Sequence, residues 1–247
     1  MLGAAGIVVF GQALTGGRAG YIAWVATGLV LCVLKWRKYL LLAPVVLILV
    51  PSIFPGVVDR MLTGFGEIDY AGENITDDYA VTSGRIIIWP YVIDKISQSP
   101  LVGYGRLAMQ RTGLTDQLIS DLNEGFGHPH NMYLETLLDN GILGSIPIFL
   151  FWGILLLYIG RLFKSDNRLC SAVGGMALAM MLTQLFAGLG SQHFYPEEST
   201  LGVWAAMFLA VRVYLEQEHS QISIAATESY EDEESMQPQT PVTAIHT

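Results

Sequence analysis

The sequence is poor in charge and nearly free of cysteine. Lys, Arg, Asp and Glu together make 14% of its 247 residues, against 52% hydrophobic ones, and its mean hydropathy is +0.44. An ordinary soluble domain carries about 25% charged residues, so this composition points to a membrane protein. The two cysteines, Cys32 and Cys170, are too few and too far apart for a disulfide framework. No P-loop, GxSxG, HExxH or CxxC pattern occurs, which removes the common nucleotide, serine-nucleophile and zinc signatures. Basic residues number 13 against 22 acidic ones, so no cationic surface for nucleic acid is expected. Seven of those acids fall from Glu216 onward, where there is no Lys or Arg, so the body of the chain is close to neutral. The opening "MLGAAGIVVFGQAL" lacks a basic leader and does not read as a cleavable signal peptide. It is also short for a span and reads as a truncated helix, so the expectation is that the chain is the C-terminal part of a longer protein.

What the sequence has is long apolar runs. These lie at roughly 2–14 (incomplete), 20–38, 39–57, 142–161 and 169–190, with a sixth at 199–215. The fold class expected is all-α: a multi-pass transmembrane bundle of five to six spans with a large helical external loop. "KWRK" (35–38) and "RLFKSDNR" (161–168) are short basic connections and read as cytoplasmic. Alternation then puts 58–141 outside. Four regions follow: 1–57 with the first spans, 58–141 as external loop, 142–215 with the last spans, and 216–247 as an acidic, disordered cytoplasmic tail.

The external loop carries the chemistry. Residues 64–79 are acidic, Gly-rich and read as flexible. Ser83 is a plausible cap for a helix with Ile87, Ile88, Tyr91, Val92 and Ile96 on one face. A second helix, 115–124, opens at Thr115. In "GHPHNMYLETLLDNGILG", Pro129 suits the first helical position, which makes His128 the cap and puts His130 and Asn131 in the first turn. Leu134, Leu137 and Leu138 form an apolar face, and Asn140-Gly141 ends this helix. A helix start attracts anions and disfavours a protonated imidazole, so His130 reads as a neutral general base beside an anion site. Arg18, Arg85, Arg106 and Arg111 are the external cations available to that anion, and Glu135 could orient a histidine. "GLGSQHFYPEES" (188–199), with Gln192, His193, Glu197 and Glu198, could form the opposite wall.

Plainer readings stand beside these. Arg18 could anchor a helix end at the headgroups, and Arg85 could pair with Asp77, Asp78 or Asp94. His128, His130, His193 and Glu197 could be read as a loose metal set, but the His-x-His spacing at a helix start diverges, and no metal is expected. A transporter or channel for small anions would place its polar groups at mid-membrane, where only Thr183 and Gln184 stand out. A non-catalytic scaffold using its acidic tail is the third class.

Three stretches together resemble the O-antigen ligase and O-antigen polymerase family. "HPHNMYLETLLDNGILG" resembles its His-Asn…Gly-hydrophobic-Gly signature, "LTGGRAG" the Arg-containing segment that opens the shared domain, and "SGRIIIWPYVIDKISQSPLVGYG" the Arg…Trp…Pro-Leu-x-Gly-x-Gly stretch. Gly17 stands where the family usually has Ser. The resemblance implies a partial C-type glycosyltransferase-like bundle in the bacterial cytoplasmic (inner) membrane. It implies transfer of a glycan from undecaprenyl diphosphate to an acceptor hydroxyl of a glycan, lipid or protein, with inversion and without metal or other cofactor. Carried over residue by residue, His130 would activate the acceptor, and Arg18 and Arg85 would hold the diphosphate; Asn131, Glu135, Arg106 and His193 would be supporting residues. Members of the family carry more spans than this chain shows, and the missing half would supply much of the lipid-carrier groove.

Overall fold

The computed structural model describes residues 18–53, 84–123, 125–190 and 194–236, together with residues 56, 58, 62, 67–68, 74–75 and 82. The first apolar run, Ser83, His193 and most of 64–79 lie outside the described residues. The described residues form eight α-helices: α1 (Arg18–Leu34), α2 (Ala43–Ile53), α3 (Arg85–Gln98), α4 (Ala108–Arg111), α5 (Leu114–Leu122), α6 (Met132–Phe163), α7 (Arg168–Ala187) and α8 (Leu201–Met236). A two-residue antiparallel pair, Glu67–Ile68 with Asn74–Ile75, is the whole of the sheet among the described residues.

Among the described residues two helices, α6 and α7, are long and apolar enough to cross a membrane, while α1 is apolar but has 17 residues. On α6, Leu143, Leu150 and Leu157 recur every seventh residue and are each 62% exposed. An apolar stripe left this bare is stable against lipid rather than water. The inward faces of α1, α6, α7 and α8 form one core around Leu31, Trp152, Ile159, Phe163, Met181 and Met207. Thr27 of α1 and Thr183 of α7 share a hydrogen bond of 3.1 Å, which satisfies two hydroxyls inside an apolar bundle. The run expected at 39–57 divides instead into a 3-10 turn, Arg37–Leu42, and the eleven-residue α2. Pro44 brings no N–H to the first turn of α2, so the chain enters through the tighter turn.

The segment expected to be disordered from residue 216 is helical as far as Met236, because α8 simply continues. Arg212 Nε reaches Glu216 at 2.9 Å, an i,i+4 pair that carries the helix past its last apolar turns. Residues 237–247 lie outside the described residues.

A second core belongs to the loop region. Ile88 and Val92 of α3 pack with Ala108, Met109, Leu114, Leu118 and Leu138. This core is stitched to α6 by backbone. Tyr104 N–H donates to Leu138 O (3.0 Å), Gly105 N–H to Asp139 O (2.7 Å), Ile142 N–H to Pro100 O (2.8 Å) and Leu143 N–H to Leu101 O (3.0 Å). The seam exists because α6 is broken at Gly141, whose φ of 61° and ψ of −173° interrupt its helical ladder. The freed groups pair with the Pro100–Gly105 segment, which crosses within contact distance. Two sequence motifs far apart in the chain are therefore two sides of one joint.

Candidate active site

Sequence places a helix start at each end of this joint. Asn131 caps α6: its side-chain oxygen accepts from Tyr133 N–H at 3.0 Å and Leu134 N–H at 3.1 Å. The cap is thus Asn131, not His128, and His130 precedes the helix rather than lying in its first turn. Asn wins because its short amide reaches both orphan N–H groups. His130 takes a left-handed backbone with φ of 49°, which turns the chain into α6. Asn131→Ala should lower stability by about 1 kcal/mol, read as a fall in melting temperature.

The loop before the cap is held from two sides. His128 Nδ1 accepts from His130 N–H at 3.3 Å, and the two imidazoles meet at 4.0 Å between centroids with their planes tilted by 52°. Phe126 meets His130 edge-on at 5.9 Å. Trp89 Nε1–H donates to Pro129 O at 3.0 Å. Trp89 follows Arg85 by one turn of α3, so both project from one face toward this loop. The i,i+4 spacing of that pair was the available signal for Trp89, whose positioning role the sequence reading did not assign.

Arg85 opens α3, directly after Gly84, which takes the left-handed conformation at φ 76°. Its guanidinium lies over Gly190, which Ala19 also approaches: a methyl on Gly190 would sit 3.4 Å from Arg85 Cζ and 3.4 Å from Ala19 Cβ. Arg18 is the first residue of α1, beside Ala19. α6 meets the end of α7 through Met132 N–H donating to Gly188 O at 2.8 Å. Four elements therefore converge: the starts of α1, α3 and α6, and the end of α7.

The charges of these neighbours act on one another. Burial, and next the charge of Arg85, hold the His130 imidazole below the usual histidine range. Burial, and next the charge of Arg18, lower Arg85 in turn. Arg85 Nε is buried and makes no hydrogen bond among the described residues. The structure thus brings together Arg18, Arg85 and His130, three residues from distant parts of the chain.

The supporting candidates separate. Asn131 belongs to the site through its cap. Glu135 is buried, at 6% exposure, but its charge acts on Tyr195, together with that of Asp139. Arg106 lies over the Tyr195 ring at 5.5 Å, and Asn140 Nδ2 donates to Tyr195 Oη at 3.1 Å. These residues form a second polar group around Tyr195, for which residue order carries no spacing signal. Burial is the chief cause holding the Tyr195 hydroxyl above the usual phenol range. Arg111 folds over Gly105. Among the described residues no three His, Cys, Asp or Glu side chains group as metal ligands. His193 lies outside the described residues.

The O-antigen ligase family model matches residues 3–149, which span Arg18, Arg85 and His130. A curated relative from Rickettsia conorii, named "Putative polysaccharide ligase RC0486", is 24% identical over 151 residues, covering 57% of this chain and 35% of the relative. The chain thus spans about a third of that relative's length. No solved structure matches. With more than half of its residues matched by the family model, the chain belongs to the O-antigen ligase family.

Proposed function

We propose that this chain carries the acceptor-activating and diphosphate-binding part of a membrane glycan ligase or polymerase. In this reading the donor is a glycan on undecaprenyl diphosphate, and the acceptor is a hydroxyl at the outer face of the bacterial cytoplasmic membrane. The observation that carries it is the buried Nε–H of Arg85, without an acceptor among the described residues, beside a neutral-leaning imidazole and a second arginine. A buried donor without an acceptor costs about 1–3 kcal/mol. A diphosphate oxygen offsets that cost and also relieves the repulsion between the two guanidiniums.

The chemistry follows from these groups. His130 accepts the proton of the acceptor hydroxyl as its oxygen bonds to the anomeric carbon. The bond from that carbon to the diphosphate oxygen breaks, and undecaprenyl diphosphate leaves with the electron pair. Attack opposite the leaving group inverts the linkage. Arg18 and Arg85 stabilise the negative charge that grows on the leaving oxygen, where fixed donors act most strongly. An apolar groove of about 450 Å³ between α6 and α8, lined by Pro147, Phe151, Trp152, Trp204 and Phe208, offers the isoprenoid chain a surface. With His130 outside, the basic connections and the start of the acidic tail lie on the cytoplasmic side.

Arg85→Gln tests the assignment. Removing one charge-stabilising donor should lower glycan transfer in native-host membranes by about 10²–10³-fold. Arg85→Lys should recover only part, because an ammonium lacks the paired fork. Transfer at the unchanged rate in Arg85→Gln would remove the arginine from the mechanism.

A further inference from the structure

The end of the bundle remote from His130 carries a feature the transfer reaction does not use. α1 runs 17 residues from Arg18 at the candidate site to Leu34, a rise of about 25 Å. Beyond it, the two basic connections meet. Lys35 Nζ donates to Phe163 O at 2.8 Å, Ser165 O at 3.2 Å and Ser171 Oγ at 2.6 Å. These contacts place residues 35–38 and 161–168 on the same face, as the positive-inside argument requires of them. Three basic residues fall in each connection, with Asp166 the one acid between them.

A cavity of about 630 Å³ opens at this junction, lined by Lys35, Trp36, Ser165, Asp166, Arg168 and Ser171. The three ammonium protons of Lys35 are committed to the two carbonyls and the hydroxyl, so it supplies charge and fixes the walls. Arg168 is exposed and makes no hydrogen bond or ion pair among the described residues, which leaves its positive charge available to an anion. The surrounding surface is apolar: Leu169 is 73% exposed, Met176 50% and Trp36 42%. Trp36 stands edge-on to Phe163, an amphipathic ring of the kind found at headgroup level.

We propose that this cavity binds the phosphate headgroup of an anionic phospholipid of the inner leaflet. The pocket, with the Lys35 and Arg168 cations against the single Asp166 carboxylate, takes the phosphate, while the exposed Leu169 and Met176 meet the acyl chains. A site for free phosphate would have no use for that apolar border. Basic pockets between membrane helices on the cytoplasmic side recognise such headgroups on the same electrostatic grounds. The inference does not depend on the role given to His130.

The test is a titration of the full chain, purified in an uncharged detergent, with three soluble probes: dihexanoyl phosphatidylglycerol, dihexanoyl phosphatidylcholine and inorganic phosphate. Melting temperature is the readout. Phosphatidylglycerol should raise it saturably, and the other two should not. Arg168→Gln, on an exposed side chain, should fold normally and raise the half-saturating phosphatidylglycerol concentration about five-fold, whereas Arg168→Lys should change it little. Equal effects of the choline and glycerol lipids would overturn the proposal, as would a phosphate response matching that of phosphatidylglycerol. An Arg168→Gln protein that binds phosphatidylglycerol as tightly as the parent would overturn it too.

Discussion

His130→Ala should reduce glycan transfer in native-host membranes by about 10³-fold, within the range that a positioned general base contributes. The protein should still reach the membrane, because His130 is only half-buried and lies outside both hydrophobic cores. Its left-handed backbone complicates the alanine result, since Ala resists a φ of 49°. Asn tolerates that conformation, so His130→Asn keeps the turn and removes only the base. Both variants should be equally inactive; a near-normal His130→Asn enzyme would mean that the turn, not the imidazole, matters. The pH profile carries a second signature. The imidazole must be neutral to take a proton, and burial with the Arg85 charge holds its pKa below the usual range. Neutral His130 therefore persists to lower pH than an ordinary histidine would allow. Transfer should stay level as pH falls through about 6.5, and decline only below it.

Gly141→Ala should be the most damaging single methyl in the loop region. A Cβ there would lie 2.4 Å from Leu101 C and O and from Val102 N, all backbone atoms that cannot swing aside. The conformation itself, φ 61° with ψ −173°, is one that essentially only Gly adopts. Strain and overpacking together should cost about 3 kcal/mol or more, a large share of the 5–15 kcal/mol typical of a folded domain. Because Gly141 holds the joint between the loop core and α6, the loss should be local at first. Hydrogen exchange at Tyr104, Gly105, Ile142 and Leu143 should accelerate before exchange within α7 does. Gly103 lies on the opposite side of the same crossing, where a Cβ would meet Gly141 N at 2.5 Å. Unchanged exchange at those four amides in Gly141→Ala would show that the seam does not depend on the close approach.

Much of this was readable from residue order because it is local. The apolar stripe of α3, the Asn140-Gly141 break and the basic connections each follow from a few neighbouring side chains. The Thr183 noticed as a polar intrusion is accounted for by its bond to Thr27, a partner 156 positions away. Pairings at that range leave no spacing pattern. The cap was misplaced by a shorter-range competition: Pro129 favoured a start at His128, but the Asn131 amide satisfies two N–H groups and prevailed. Likewise Gly84 and Gly113, both left-handed, open α3 and α5 without a side-chain cap, while Thr115, expected as a cap, donates to Phe126 O at 3.0 Å. The tail failed for a different reason. Its acidic composition argues against a buried core but not against a helix already nucleated by α8, since extension costs far less than initiation.

The central claim is that Arg85 and His130 share one partly buried space, and histidine NMR titration of the full chain tests it most directly. The chain has five histidines, and the His130 signal is the one lost in His130→Asn. Its midpoint should fall below about 6.5, and should rise in Arg85→Gln, where one of the two causes of the depression is gone. A midpoint at or above that value, indifferent to the removal of Arg85, would contradict the account.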